Sequence, residues 1–264
     1  MVKKALLVGV SEYLPLKANL RSATIEVENW KALLVRTYAF GEHNVRVLMN
    51  ERATKRAVLD RLTWLLAGAL EGDQIVFVFC GHGLRARRRN DEGKLLERED
   101  EGLIPYPAGS SSALDVSIFD DDLTDLYERM GVRRGALPTF IFDCCYSAGI
   151  DFSETHRTRL TRPARSHVAP SFDVVRFGLR LTRNGSGPQP VVIAASGETG
   201  LAIEVEAAGQ PRSLFSLHAL DTLRGNPRVS YSDLITTIKP LMTFAAQEPC
   251  IRGDCQRTKR SFLH

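Results

Sequence analysis

Two stretches of this chain are apolar without interruption, and each stops at residues with chemistry of their own. Gln74-Ile75-Val76-Phe77-Val78-Phe79-Cys80 runs into Gly81-His82-Gly83, and Phe140-Ile141-Phe142-Asp143 runs into Cys144-Cys145. A strand that is apolar on both faces has to be covered on both, which is the situation of a parallel strand inside an α/β sheet. Open sheets of this kind bind ligands at the carboxyl ends of their strands. Two neighbouring strands ending in histidine and cysteine therefore deliver an imidazole and a thiol to one rim, whatever their separation along the chain. That pairing is the one used in nucleophilic thiol catalysis.

The rest of the chain keeps the same rhythm. Lys4–Val10 reads as a first strand, Arg21–Tyr38 as a helix with Ala23, Val27, Trp30, Leu33 and Leu34 at helical spacing, and Asn44–Met49 as a second strand. Thr54 caps a predicted helix through Ala67 that carries Val58, Leu59, Leu62, Leu65 and Leu66. Residues 81–116 are polar and charged, Asp120–Met130 is helical in pattern, and Thr139–Asp143 is the next strand. Beyond 188 the pattern resumes with strands Val191–Ala195 and Leu201–Val205 and helices Ser213–Leu223 and Tyr231–Leu241. The reading is one domain over 1–264: a larger catalytic part at 1–149, a basic mobile linker at 150–188 and a smaller part at 189–264.

Composition narrows the classes. Five cysteines in 264 residues make no disulfide framework, so free thiols are expected, including Cys250 and Cys255, whose lone pairing is weak as a zinc or disulfide signal. The apolar start, Ala5–Val10, is too short to span a membrane and carries no cleavage site, which points to a cytoplasmic protein with no membrane partner. The net positive charge sits in the linker, where between Ser153 and Pro188 Arg157, Arg159, Arg162, Arg165, Arg176, Arg180 and Arg183 face only Glu154 and Asp173. Without interleaved aromatics or a recognition helix, such a stripe argues against nucleic-acid binding.

These residues resemble the caspase-like clan of cysteine peptidases, in its metacaspase and bacterial caspase-like branch. Cys80-Gly81-His82-Gly83 is similar to the family's Ser-Gly-His-Gly, Asp100-Glu101-Gly102 with Ile104-Pro105 to its acidic segment, and Asp143-Cys144-Cys145-Tyr146-Ser147 to its Asp-x-Cys-His-Ser. Lys4–Val10, Ala195-Ser196-Gly197 and Ser213–Gly225 resemble further parts of the family. The departures are Cys80 for serine, Tyr146 for histidine and a glycine displaced to Gly149. The resemblance implies a three-layer sandwich, a mostly parallel sheet with helices on both faces, in a thiol endopeptidase acting on proteins or peptides. It also suggests a place in a bacterial stress or immune proteolytic response, reached through an activating protease or an upstream signalling partner. A monomer is expected.

In that scheme Cys145 is the nucleophile and His82 its base, and the N–H groups of Gly83 and Cys145 form the oxyanion site. Adjacent side chains of an extended strand point to opposite faces, so Cys144 is left for the core. The family's acidic primary pocket maps onto Asp143 and Glu26, with Cys80 and Ser196 as further pocket residues, and implies cutting after Arg or Lys. Linker arginines Arg157, Arg159, Arg162 and Arg165 fall where relatives are processed. The chemistry requires no cofactor. Asp120, Asp121 and Asp122 match a calcium-binding pair of some relatives, with Asp151 as a further oxygen donor, although acidic residues at a helix start have a plainer explanation. Two rival readings are a serine hydrolase using Ser147 with His218 or His264, and a signalling module whose dyad is vestigial.

Overall fold

The computed structural model describes residues 1–13, 18–86, 94, 100–132, 136–144, 190–196, 202–245, 247–253 and 255–263. Cys145, Tyr146, Ser147, Asp151, the linker 150–188 with its arginines, and His264 lie outside the described residues.

Six strands form the central sheet: β1 (Lys3–Gly9), β2 (Val45–Met49), β3 (Gln74–Cys80), β7 (Leu137–Asp143), β8 (Val191–Ala194) and β11 (Cys250–Arg252). Their spatial order is β11-β8-β7-β3-β1-β2. All neighbours run parallel except β11, which pairs antiparallel with β8 at the edge. The register that matters for the site sets Cys80 beside Asp143 at the ends of β3 and β7.

Every residue of β3 is buried, as expected of a strand covered on both sides. Helices α1 (Ala23–Arg36), α5 (Leu214–Gly225) and α6 (Tyr231–Ile238) pack on one face, against Leu7, Val76 and Val78. Helices α2 (Lys55–Leu66) and α4 (Asp120–Arg129) pack on the other, against Leu6, Phe77 and Phe79. Alternate side chains of one strand thus feed two separate cores, which makes the fold a three-layer α/β sandwich. Thr54 caps α2 by accepting the Ala57 N–H at 3.3 Å.

The polar stretch after β3 contains structure that its composition conceals. Strands β4 (His82–Ala86), β5 (Asp100–Ile104) and β6 (Ile118–Phe119) form an antiparallel sheet of their own, with a short helix α3 (Ala113–Val116) before β6. Asp100 and Glu101 are buried, and Arg85 stands 3.2 Å from the Glu101 carboxylate across the ladder. The remaining pair, β9 (Glu204–Ala207) and β10 (Gln210–Ser213), is a hairpin laid beside α1. No described helix is long and apolar enough to cross a membrane.

Candidate active site

His82 is the first residue of β4, and the chain reaches it through a turn that only glycine fits. A Cβ on Gly81 would lie 2.5 Å from the Tyr13 hydroxyl and 3.0 Å from the Phe79 ring. That hydroxyl accepts the His82 N–H at 2.8 Å and donates to the Ile104 carbonyl at 3.0 Å, and the two rings stand 4.6 Å apart. Tyr13 therefore locks the end of β3, the start of β4 and the end of β5 together.

The imidazole is 8 % exposed, and its Nε2 lies 2.6 Å from the Ala18 carbonyl oxygen. A carbonyl only accepts, so Nε2 carries the proton, and in the neutral ring Nδ1 keeps a lone pair. Burial holds the His82 pKa below its usual 6.5, against the opposing pull of the Ala18 hydrogen bond and the Glu204 charge. Near neutral pH the ring is thus a base with a fixed tautomer. Gly83 is buried in β4 opposite Leu103.

A recess beside His82 is lined by Ser22, Ala23 and Glu26 around the start of α1, by Ile203, Glu204 and Ser213, and by Cys80 and Asp143 at the strand ends. Asp143 is held by hydroxyls: Ser213 Oγ donates to Oδ1 at 2.7 Å, and Ser216 Oγ donates to Oδ2 while accepting the Trp30 indole N–H at 2.9 Å. Burial pushes the Asp143 pKa up to about 7, with the two hydroxyl bonds lowering it and the Glu26 and Glu204 charges raising it further. Cys80 is 1 % exposed, and burial, then the charges of Asp143 and Glu26, hold its thiol well above the ordinary range. It is a protonated liner of the recess and a poor nucleophile. Cys144 is equally buried, in the core shared with α2 and α4, on the opposite face of the sheet from Cys80.

The structure brings together His82, Asp143, Glu26 and Cys80, as the sequence pattern anticipates, and adds Glu204. The Glu204 carboxylate accepts the Ser22 N–H at 2.7 Å, the Ser22 hydroxyl at 2.6 Å and the Arg21 N–H at 2.9 Å, so it serves the start of α1, where Ser22 itself makes no side-chain cap. No sequence signal links residue 204 to residue 22. Ser196 is fully buried past the end of β8 and is not among the described residues that line the recess; its hydroxyl has no hydrogen-bond partner among the described residues. His218, one of the two bases of the serine reading, lies inside helix α5. Cys80, Cys144, Cys250 and Cys255 form no disulfide among the described residues.

A second group of carboxylates lies apart from the recess. Asp100, Asp120 and Asp121 offer oxygens within 4.8 Å of one another, Asp100 and Asp120 being buried. Asp122 is turned elsewhere: it accepts the Phe119 N–H at 3.0 Å and faces Lys55 at 3.1 Å, which is the helix-start role. Three hard oxygen donors this close suit calcium. Asp100 was not anticipated as part of the group.

The comparisons agree with this architecture. The model of the metacaspase, peptidase C14 domain matches residues 3–151, more than half of the chain. The chain belongs to that family. Metacaspase-1A of Neurospora crassa is 24 % identical over 94 % of this chain and 62 % of its own length. Metacaspase-4 of Arabidopsis thaliana is 32 % identical over 57 % of this chain and 34 % of its own length. The chain thus spans less than two thirds of these curated relatives. A crystal structure of a protein from Geobacter sulfurreducens superposes with a TM-score of 0.66 at 17 % identity, covering 100 % of this chain and 98 % of that one, and shares the fold.

Proposed function

We propose that this chain is a cysteine endopeptidase in which Cys145 is the nucleophile and His82 the base, cutting proteins after Arg or Lys. The observation that carries the reading is the tethering of His82: with Nε2–H committed to the Ala18 carbonyl, the Nδ1 lone pair is left for a thiol at the rim of an acidic recess.

Cys145 comes two residues after Asp143 in the sequence, and Asp143 is the last residue of β7, the strand that neighbours β3. An ordinary cysteine is mostly protonated at neutral pH, so its proton passes to His82 Nδ1 as sulfur attacks the scissile carbonyl. The oxyanion accepts from the N–H groups of Gly83 and Cys145. Collapse expels the amine, which takes the proton from His82 and leaves a thioester on Cys145. His82 then draws a proton from water, whose oxygen attacks the thioester, and the acid product departs as the thiol is regenerated. No step calls for a metal or an organic cofactor.

Specificity follows from charge. Asp143, Glu26 and Glu204 border one recess, and a carboxylate-lined pocket selects Arg or Lys, Arg with the better geometry for paired hydrogen bonds. Calcium at Asp100, Asp120 and Asp121 would neutralise like charges that otherwise repel and so order the start of α4 against β5. Cutting at Arg157, Arg159, Arg162 or Arg165 would activate the enzyme, within a bacterial stress or immune response. Mass-spectrometric mapping of peptides cut by the purified protein tests the reading. It predicts fragments ending in Arg or Lys that vanish with Cys145→Ala. Fragments ending in Asp, or cutting that survives the substitution, would overturn it.

A further inference from the structure

Glu26 borders the recess, yet it already has a cation of its own. Arg212 Nε donates to Oε1 at 2.7 Å and Arg212 Nη2 to Oε2 at 3.0 Å, while the Ser213 N–H reaches Oε1 at 2.8 Å and Asn29 Nδ2 reaches Oε2 at 3.5 Å. An ionised carboxylate has about four acceptor positions. All four are taken, and Glu26 has no exposed surface. Its charge is cancelled by a guanidinium whose side chain is itself only 13 % exposed.

We propose that Arg212 sets the charge of the substrate pocket: it neutralises Glu26, so that a basic substrate side chain is bound by Asp143 and Glu204 and not by Glu26. The proposal rests on the reading above, that the recess beside His82 takes the residue preceding the scissile bond. One hairpin supplies both controlling groups, Glu204 at the start of β9 and Arg212 near the end of β10, in register as Ser213 opposite Glu204 and Arg212 opposite Val205. Glu204 is oriented mainly through Oε1, which takes the Ser22 N–H, the Ser22 hydroxyl and the nearer Arg21 contact; Oε2 has one longer contact, 3.2 Å from the Arg21 N–H. That oxygen keeps acceptor capacity for an incoming guanidinium. Arg212 is therefore a specificity-determining residue that acts through another side chain.

A double-mutant cycle tests this on the purified protein, with paired fluorogenic peptides carrying arginine or citrulline before the scissile bond. Citrulline has arginine's shape without its charge, so the ratio of the two kcat/KM values reads the charge of the pocket and is insensitive to general damage. Glu26→Gln leaves Arg212 without its paired carboxylate beside the pocket, and the ratio should fall about tenfold or more. Adding Arg212→Gln removes the stranded charge and should bring the ratio back to within about threefold of the parent. Glu204→Gln keeps an acceptor for Ser22 and should lower the ratio about tenfold or more. A double variant whose ratio stays down, or a Glu204→Gln ratio equal to the parent's, would overturn the proposal. If Glu26→Gln alone does not fold, the double variant decides unaided. A parent ratio near one would instead contradict the basic specificity proposed above, and a further drop with Glu26→Gln that Arg212→Gln reverses would still support the role of Arg212.

Discussion

Replacing Asp143 by Asn should remove a loss of stability that the parent suffers as pH rises through neutrality. Asp143 is buried under α1 and α5, with a pKa pushed from 3.8 to about 7. A carboxyl whose folded pKa exceeds its unfolded one is protonated in the folded state where the unfolded chain has already ionised. Its contribution to stability is complete below the unfolded pKa and is lost as pH rises through the folded one. Each unit of displacement corresponds to about 1.4 kcal/mol, so the loss between pH 4 and pH 8 is roughly 4 kcal/mol, of which about 3 kcal/mol falls between pH 5 and pH 8. Asn is neutral throughout, and the Ser213 and Ser216 hydroxyls can rotate to suit it. Urea denaturation of both proteins at pH 5 and pH 8 gives the difference with the titrating groups remote from Asp143 cancelled. The variant should gain about 3 kcal/mol relative to the parent on going to pH 8. Parallel pH profiles would refute the reasoning, because they would mean that Asp143 ionises as easily inside the fold as outside it.

Tyr13→Phe strands the His82 N–H and the Ile104 carbonyl, which should cost about 2 kcal/mol in urea denaturation and lower kcat/KM in peptide cleavage; a change under about 0.5 kcal/mol would contradict the role given to the hydroxyl. Gly81→Ala drives a Cβ to 2.5 Å from that same oxygen and should destabilise by about 2 kcal/mol, whereas a neutral outcome would show that the turn has slack. Saturating calcium should raise the thermal midpoint by about 5 °C, and Asp100→Asn should abolish the rise; an equal rise in both proteins would place the ion elsewhere.

The parts of the fold that could be read from sequence are those where burial is uniform. Strand β3 and the end of β7 announce themselves because nothing polar interrupts them, and α1 and α2 because their apolar residues recur at helical spacing. The helix expected over Arg21–Tyr38 is in fact Ala23–Arg36, and its start is served from residue 204, which no local rule foresees. The antiparallel β4–β5–β6 sheet was illegible because Asp100 and Glu101 look like solvated charges, and the arrival of Arg85 across the ladder shows how a buried Glu101 is tolerated. The stretch expected as a helix over Tyr231–Leu241 changes to a 3₁₀ helix at Lys239, next to Pro240, and β11 is an edge strand too short to have a period. At the site, His82, Asp143 and Glu26 were legible through motif context. Tyr13, Glu204, Arg212 and Asp100 were not, since each acquires its meaning from partners brought to it only by the sheet topology.

Covalent labelling tests the central claim most directly. A peptidyl arginyl chloromethylketone incubated with the protein at neutral pH, followed by peptide mapping, reports which atom is both nucleophilic and placed to receive a basic side chain. The account predicts one adduct, on the Cys145 sulfur, formed rapidly by the parent and at least a hundredfold more slowly by His82→Ala. An adduct on Ser147 or Cys80, or labelling of Cys145 that does not depend on His82, would contradict it.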